Sequence, residues 1–134
     1  MNEIVSYNDA VRQYFFRPDH AGDLQDRYDV SLTAEVSESA HGAHVVLAAG
    51  IDGETVSALA YRVRGCPHLV AALELLCTKL ENRPVAALEK LATADITQEL
   101  GVPVEKSGRI LLLEDAVAML WSQFAAAAGQ ASAR

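Results

Sequence analysis

The sequence predicts an α+β fold: a three-stranded antiparallel meander packed against several helices, with a long C-terminal helix. Three observations carry this. Val30, Leu32, Ala34 and Val36 alternate with Ser31, Thr33, Glu35 and Ser37, the two-residue period of a half-buried strand. Two further apolar stretches, His44 to Ile51 and Glu54 to Val63, are separated by Asp52-Gly53, a pair that supplies the positive φ angles of a tight hairpin. On either side of these strands the apolar residues return to helical spacing.

The elements follow in order. Ser6 stands three residues before Asp9, a capping pattern, and Tyr7, Val11, Tyr14 and Phe15 predict a first helix from about Tyr7 to Phe16. Arg17 to Asp23 is rich in turn formers and reads as a loop crossing to the sheet. Glu38 to Ala43 is a short polar connection between the first two strands. After Arg64-Gly65-Cys66, Pro67 suits the first turn of a helix, and Leu69, Val70, Leu73, Leu76 and Leu80 continue it, which places Cys66 at a helix N-terminus. Pro84 to about Leu91 and Ala94 to Leu100 read as short helices, the second ended by Gly101 and Pro103. A final helix from about Ile110 to Ala127 carries Leu112, Leu113, Val117, Leu120, Trp121 and Phe124, and the Ala-rich end to Arg134 is expected to fray. With no internal repeat and no linker, residues 1–134 read as one domain with an ordered core at about 6–127.

Composition narrows the function. At 134 residues there is room for one core. Eighteen Asp plus Glu against eleven Lys plus Arg give a net charge of −7, which argues against a nucleic-acid partner. Hydrophobic residues at 51% and charged residues at 22% suit a buried core. A mean hydropathy of +0.11, with no apolar run expected to approach the ~20 residues of a bilayer span, argues against a membrane protein. The start, Met1 to Val5, is polar and acidic where a secretory signal is basic and then apolar, so a cytoplasmic location is expected. Two cysteines are too few for a disulfide framework and read as thiols.

Few side chains carry chemistry. A thiol at a helix N-terminus meets unpaired backbone N–H groups and the positive end of the helix dipole, which makes Cys66 the best nucleophile or soft-metal ligand in the chain. The alternative is a small side chain packed between strand and helix. Cys77, among Leu75, Leu76 and Leu80, reads as core. His41, His44, Cys66 and His68 are the His/Cys set that one sheet-and-helix geometry could gather, as the pairs His41-x-x-His44 and Cys66-x-His68, and such ligands suit zinc or iron. The competing reading is surface and capping residues, and a one-residue change of register turns His44 to the other face. Glu114 and Asp115 read as dipole partners in the first turn of the last helix, and Ser107 as its cap. There is no Gly-rich phosphate loop and no Ser/His/Asp triad, so an enzyme is not expected.

The order of elements resembles the scaffold family of iron–sulfur cluster assembly, the IscU and NifU N-terminal domain type, over about Ser6 to Ala127. Tyr7-Asn8-Asp9-Ala10-Val11 with Arg17-Pro18-Asp19-His20-Ala21-Gly22 is similar to that family's opening helix and its Asn-Pro-Arg-Asn-x-Gly loop. Tyr61-Arg62-Val63-Arg64-Gly65-Cys66 resembles its third strand running into a Gly-Cys-Gly turn, Ala94 to Leu100 its Thr-Asp-Ile-x-x-Glu-Leu helix, and Leu113-Glu114-Asp115-Ala116-Val117 its Ala-Glu-Asp-Ala run.

In the family three cysteines, an aspartate and a histidine hold the cluster or a zinc ion. Here Cys66 matches the second cysteine alone. The first falls on His41 or Ala40, the aspartate on Ala43 or Gly42, and the His-Cys pair on Gly108 and Arg109, a guanidinium that cannot ligate iron. The Leu-Pro-Pro-Val-Lys segment that the family's chaperone reads is reduced to Val102-Pro103-Val104-Glu105-Lys106. The resemblance implies a scaffold-like protein whose cofactor is an iron–sulfur cluster, iron or zinc at Cys66 with His41, His44 or His68, or no cofactor at all. It implies as partners a cysteine desulfurase or other assembly proteins. Two alternatives stand beside it: a single-cysteine acceptor of persulfide sulfur, and an interaction module that kept only the fold.

Overall fold

The computed structural model describes residues 8–132, apart from the side chains of His41 and of residues 129–132. Helix α1 (Asp9–Phe16) leads through a crossover loop to strands β1 (Val30–Glu38), β2 (Ala43–Asp52) and β3 (Thr55–Arg64). Helices α2 (Pro67–Leu80), α3 (Ala94–Leu100), α4 (Ser107–Ile110) and α5 (Leu112–Ser132) follow. The strands form one antiparallel sheet in the order β1-β2-β3, so the predicted α+β meander is the observed one.

Register decides which face of the sheet is buried. Ala34 pairs with Leu47, which pairs with Tyr61, and Leu32 pairs with Ala49, which pairs with Leu59. All six are buried, because residues directly opposite one another share a face. Helix α5 covers this face over β1 and β2, α2 covers it beside β3, and α1, α3 and α4 pack on α2. Leu69, Leu73, Leu76, Ile110, Leu113, Val117 and Leu120 fill the layer between sheet and helices.

Several boundaries depart from the sequence expectation. The cap of α1 is Asn8, whose Oδ1 accepts the Val11 N–H at 2.8 Å; Ser6 and Tyr7 lie outside the described residues. In the hairpin, Asp52 still pairs with Thr55, so the turn falls on Gly53-Glu54, one residue later than expected, with Gly53 at φ +60. A register shift at Gly50/Ile51 accommodates the difference. Asp29 holds the turn by accepting the Gly53 N–H at 3.1 Å while its own N–H donates to Asp52 Oδ1 at 2.9 Å. The short helix expected at Pro84 to Leu91 is only a 3-10 turn, Val85–Leu88. The residues before it are engaged with β3: Asn82 N–H donates to Val56 O, Val56 N–H to Arg83 O, and Val85 N–H to Glu54 O.

The C-terminal helical region also differs. Ser107 does not cap it; its hydroxyl donates back to Val104 O at 2.7 Å. Glu114 is more than a dipole partner, since its Oε2 accepts both the N–H (3.0 Å) and the hydroxyl (2.7 Å) of buried Thr93. The last helix is bounded at Ser132 where an end at about Ala127 was expected, in keeping with alanine's high helix propensity. The stretch Val104–Ala128, with a hydropathy of 1.4, is long and apolar enough to cross a bilayer, contrary to expectation. Its apolar stripe is taken up by burial of Ile110, Leu113, Ala116, Val117 and Leu120 in the domain core.

Candidate functional site at the start of the second helix

Strand β3 ends at Arg64, and Gly65 lets the chain turn tightly: a Cβ there would sit 2.7 Å from Leu69 Cδ2. Cys66 is the N-cap of α2, with Pro67 in the first turn. Its carbonyl accepts the N–H groups of Leu69 at 3.0 Å and Val70 at 3.2 Å, while its side chain makes no cap hydrogen bond. The thiol is half-buried against the edge of the core.

His68, two residues on, is only 5% exposed. Burial, then the charges of Lys106 and Arg109, hold its imidazole below the ordinary pKa of 6.5, so it is neutral at neutral pH. Arg109 comes from α4, which packs on α2. His68, in the first turn of α2, thus lies in the field of two positive charges.

The remaining candidates come from the first two strands and the turn between them. His44 lies on the sheet face turned away from the helices, its Nε2 bonded to Glu35 of β1. The backbone of His41 belongs to the 3-10 turn Ser39–His41 that joins β1 to β2, and its side chain lies outside those described. Among the described residues no group of three or more His, Cys, Asp or Glu is placed to hold a metal ion. Cys77 is fully buried; burial, then the carboxylates Glu74 and Glu81, push its thiol well above the ordinary range, which leaves it inert core.

A second polar cluster lies further along α2, and no spacing motif announces it. Glu74, 2% exposed, accepts from the His20 N–H at 2.9 Å and from the Tyr61 hydroxyl at 3.0 Å, and its other oxygen faces His20 Nδ1. His20 Nε2 lies 3.2 Å from Glu81, whose Oε2 also accepts the Leu59 N–H. The one signal for it in the sequence is a carboxylate set within the apolar run Leu69 to Leu80.

A family model for the NifU-like N-terminal domain matches residues 6–130. The chain belongs to that family. A curated relative of this NifU-like domain is the iron–sulfur cluster assembly protein IscU of Plasmodium falciparum (isolate 3D7). It is 22% identical over 116 residues, which make up 87% of this chain and 72% of the relative. Among solved structures, a nitrogen-fixing NifU-like protein (N-terminal part) from Brucella abortus superposes with a TM-score of 0.68 at 16% identity, over 87% of this chain and 92% of the other. A protein described as a candidate iron–sulfur cluster assembly scaffold for the SUF system, from Fervidobacterium islandicum AW-1, gives 0.69 at 12% identity, over 90% and 99%. These likenesses confirm the α+β fold. The described side chains bring one accessible thiol, Cys66, and the buried His68 imidazole to the start of α2, short of the four thiolate or imidazole ligands that a cluster calls for.

Proposed function

We propose that this NifU-like domain serves iron–sulfur cluster assembly by accepting sulfur on Cys66. The observation that carries the reading is a half-exposed thiol at the N-terminus of a 14-residue helix, where among the described residues no group of three or more metal-capable side chains is gathered. Family membership and the assembly role of the curated relative support the pathway.

The chemistry balances without an external oxidant. The Cys66 thiolate attacks the terminal sulfur of a donor persulfide, such as that of a cysteine desulfurase. A new S–S bond forms on Cys66, the donor's S–S bond breaks, and the donor sulfur leaves as a thiolate. The backbone N–H groups and the positive dipole end at the start of α2 favour the resulting persulfide anion.

The test is intact mass and peptide mapping after incubation with a cysteine desulfurase and cysteine. One added sulfur on Cys66 is expected, absent in Cys66→Ser and retained in Cys77→Ala. A fully reduced Cys66 that gains no sulfur from an active desulfurase overturns the reading. Untagged protein should carry no bound iron or zinc; metal present in the wild type and lost in Cys66→Ala would restore the metal-holding scaffold instead.

A further inference from the structure

We propose that His20 is a proton-operated latch: as an imidazolium it bridges Glu74 of α2 and Glu81 at the C-cap of that helix and holds the crossover loop (residues 17–29) against the open edge of β3, and loss of the proton frees that loop. The proposal is independent of Cys66.

The geometry calls for two donors on one ring. Nδ1 faces Glu74 and Nε2 faces Glu81 at 3.2 Å, so both ring nitrogens meet carboxylate oxygens. An imidazolium donates from both nitrogens; a neutral imidazole has one N–H, and its second lone pair then faces an anionic oxygen. The loop's nearby backbone attachments all go to Tyr61 of β3. Tyr61 N–H donates to His20 O at 3.0 Å, Gly22 N–H donates to Tyr61 O at 2.8 Å, and Ala21 forms a parallel bridge with Tyr61. Beyond them are the exposed Arg62–Asp23 pair and the Asp29 clip at the hairpin. Between the loop and β3 lies an open concavity of about 460 Å³ lined by Asp19, Asp23, Asp26, Leu59 and Glu81 as well as His20.

The groups that face the latch come from each element packed against it. The loop contributes Asp19, Asp23, Asp26 and Tyr28; β3 contributes Tyr61 and Arg62; α2 and its C-cap contribute Glu74, Cys77 and Glu81. Tyr14 of α1 senses Glu74 and Glu99 of α3. Tyr14, Tyr28, Tyr61 and Cys77 are all pushed upward, burial being the first cause in each. For His20, burial lowers the pKa, and the hydrogen bonds and charges of Glu74 and Glu81 more than offset it, so the balance is upward from 6.5. Release of the loop unpairs the backbone of β3 at Tyr61 and opens the acid-lined concavity.

The experiment follows the His20 imidazole signals and backbone amide exchange by NMR across neutral and mildly alkaline pH, corrected for intrinsic exchange rates. The protection of the Gly22 and Tyr61 amides should fall about tenfold across the His20 titration, the factor that corresponds to losing one charge-assisted hydrogen bond. The β1–β2 ladder should stay protected. His20→Gln should show low, pH-independent protection at the two amides. Glu81→Gln, at a half-exposed position that leaves the buried Glu74 contacts in place, should move the His20 midpoint down towards its ordinary value. Protection at Gly22 and Tyr61 that does not change while His20 titrates overturns the latch, as does an equal pH-dependent loss in His20→Gln.

Discussion

Glu74 takes a carboxylate into an interior whose other α2 side chains are almost all apolar, and it is tolerated because donors from β3 and from the crossover loop converge on it. Removing one partner of a buried ionic pair strands the other, so Glu74→Ala should lower unfolding free energy by about 3 kcal/mol in urea titrations. Tyr61→Phe removes one hydrogen bond to that carboxylate and should cost about 1–2 kcal/mol by the same measurement. Combined with His20→Gln it should cost less than the sum of the two, because the three side chains share one network. At this scale the sequence exposes half of the information. An inward-facing Glu within the run Leu69 to Leu80 can be read directly, but its donors lie 54 and 13 residues away, and no local pattern encodes that meeting.

Helix α1 has eight residues and buries Val11 alone among its side chains, so its start depends on the Asn8 cap. Asn8→Ala should lower stability by about 1 kcal/mol in thermal or chemical unfolding. Gly101 ends α3 at φ +61, and a Cβ there would come within 2.7 Å of Asn8 Nδ2, so the two helix termini meet. Gly101→Ala should cost more than the roughly 1 kcal/mol of the left-handed conformation alone. In that background the effect of Asn8→Ala should shrink, since the cap is already displaced. Element identity was readable here because periodicity and Gly/Pro punctuation act over a few residues. Boundaries slipped where long-range contacts intervened, as when the pairing of Asn82 to Val85 with β3 reduced an expected helix to a single turn.

For the whole molecule, two histidines set opposite slopes of stability against pH. His20 is raised above 6.5 in the folded state; its stabilisation is complete below 6.5 and is lost as pH rises through the folded value. His68 is lowered, by burial first and by Lys106 and Arg109 next, so stability falls as pH drops from 6.5 towards its folded value. Unfolding midpoints in urea measured across this range should peak near 6.5. His20→Gln should flatten the alkaline limb, and His68→Gln the limb just below 6.5.

By itself the sequence determined the α+β class, the three-strand meander, the place of Cys66 at the start of α2 and the burial of Cys77, because each follows from spacing within one element. Only the tertiary structure decided which histidine meets which charge. Strand register sent His44 to Glu35, the packing of α4 on α2 brought Arg109 and Lys106 to His68, and the crossover loop delivered His20 to Glu74 and Glu81. The physical reason is that side-chain direction alternates every residue on a strand and turns by about 100° per residue on a helix, so small differences in register reassign a partner without altering the pattern that makes the element.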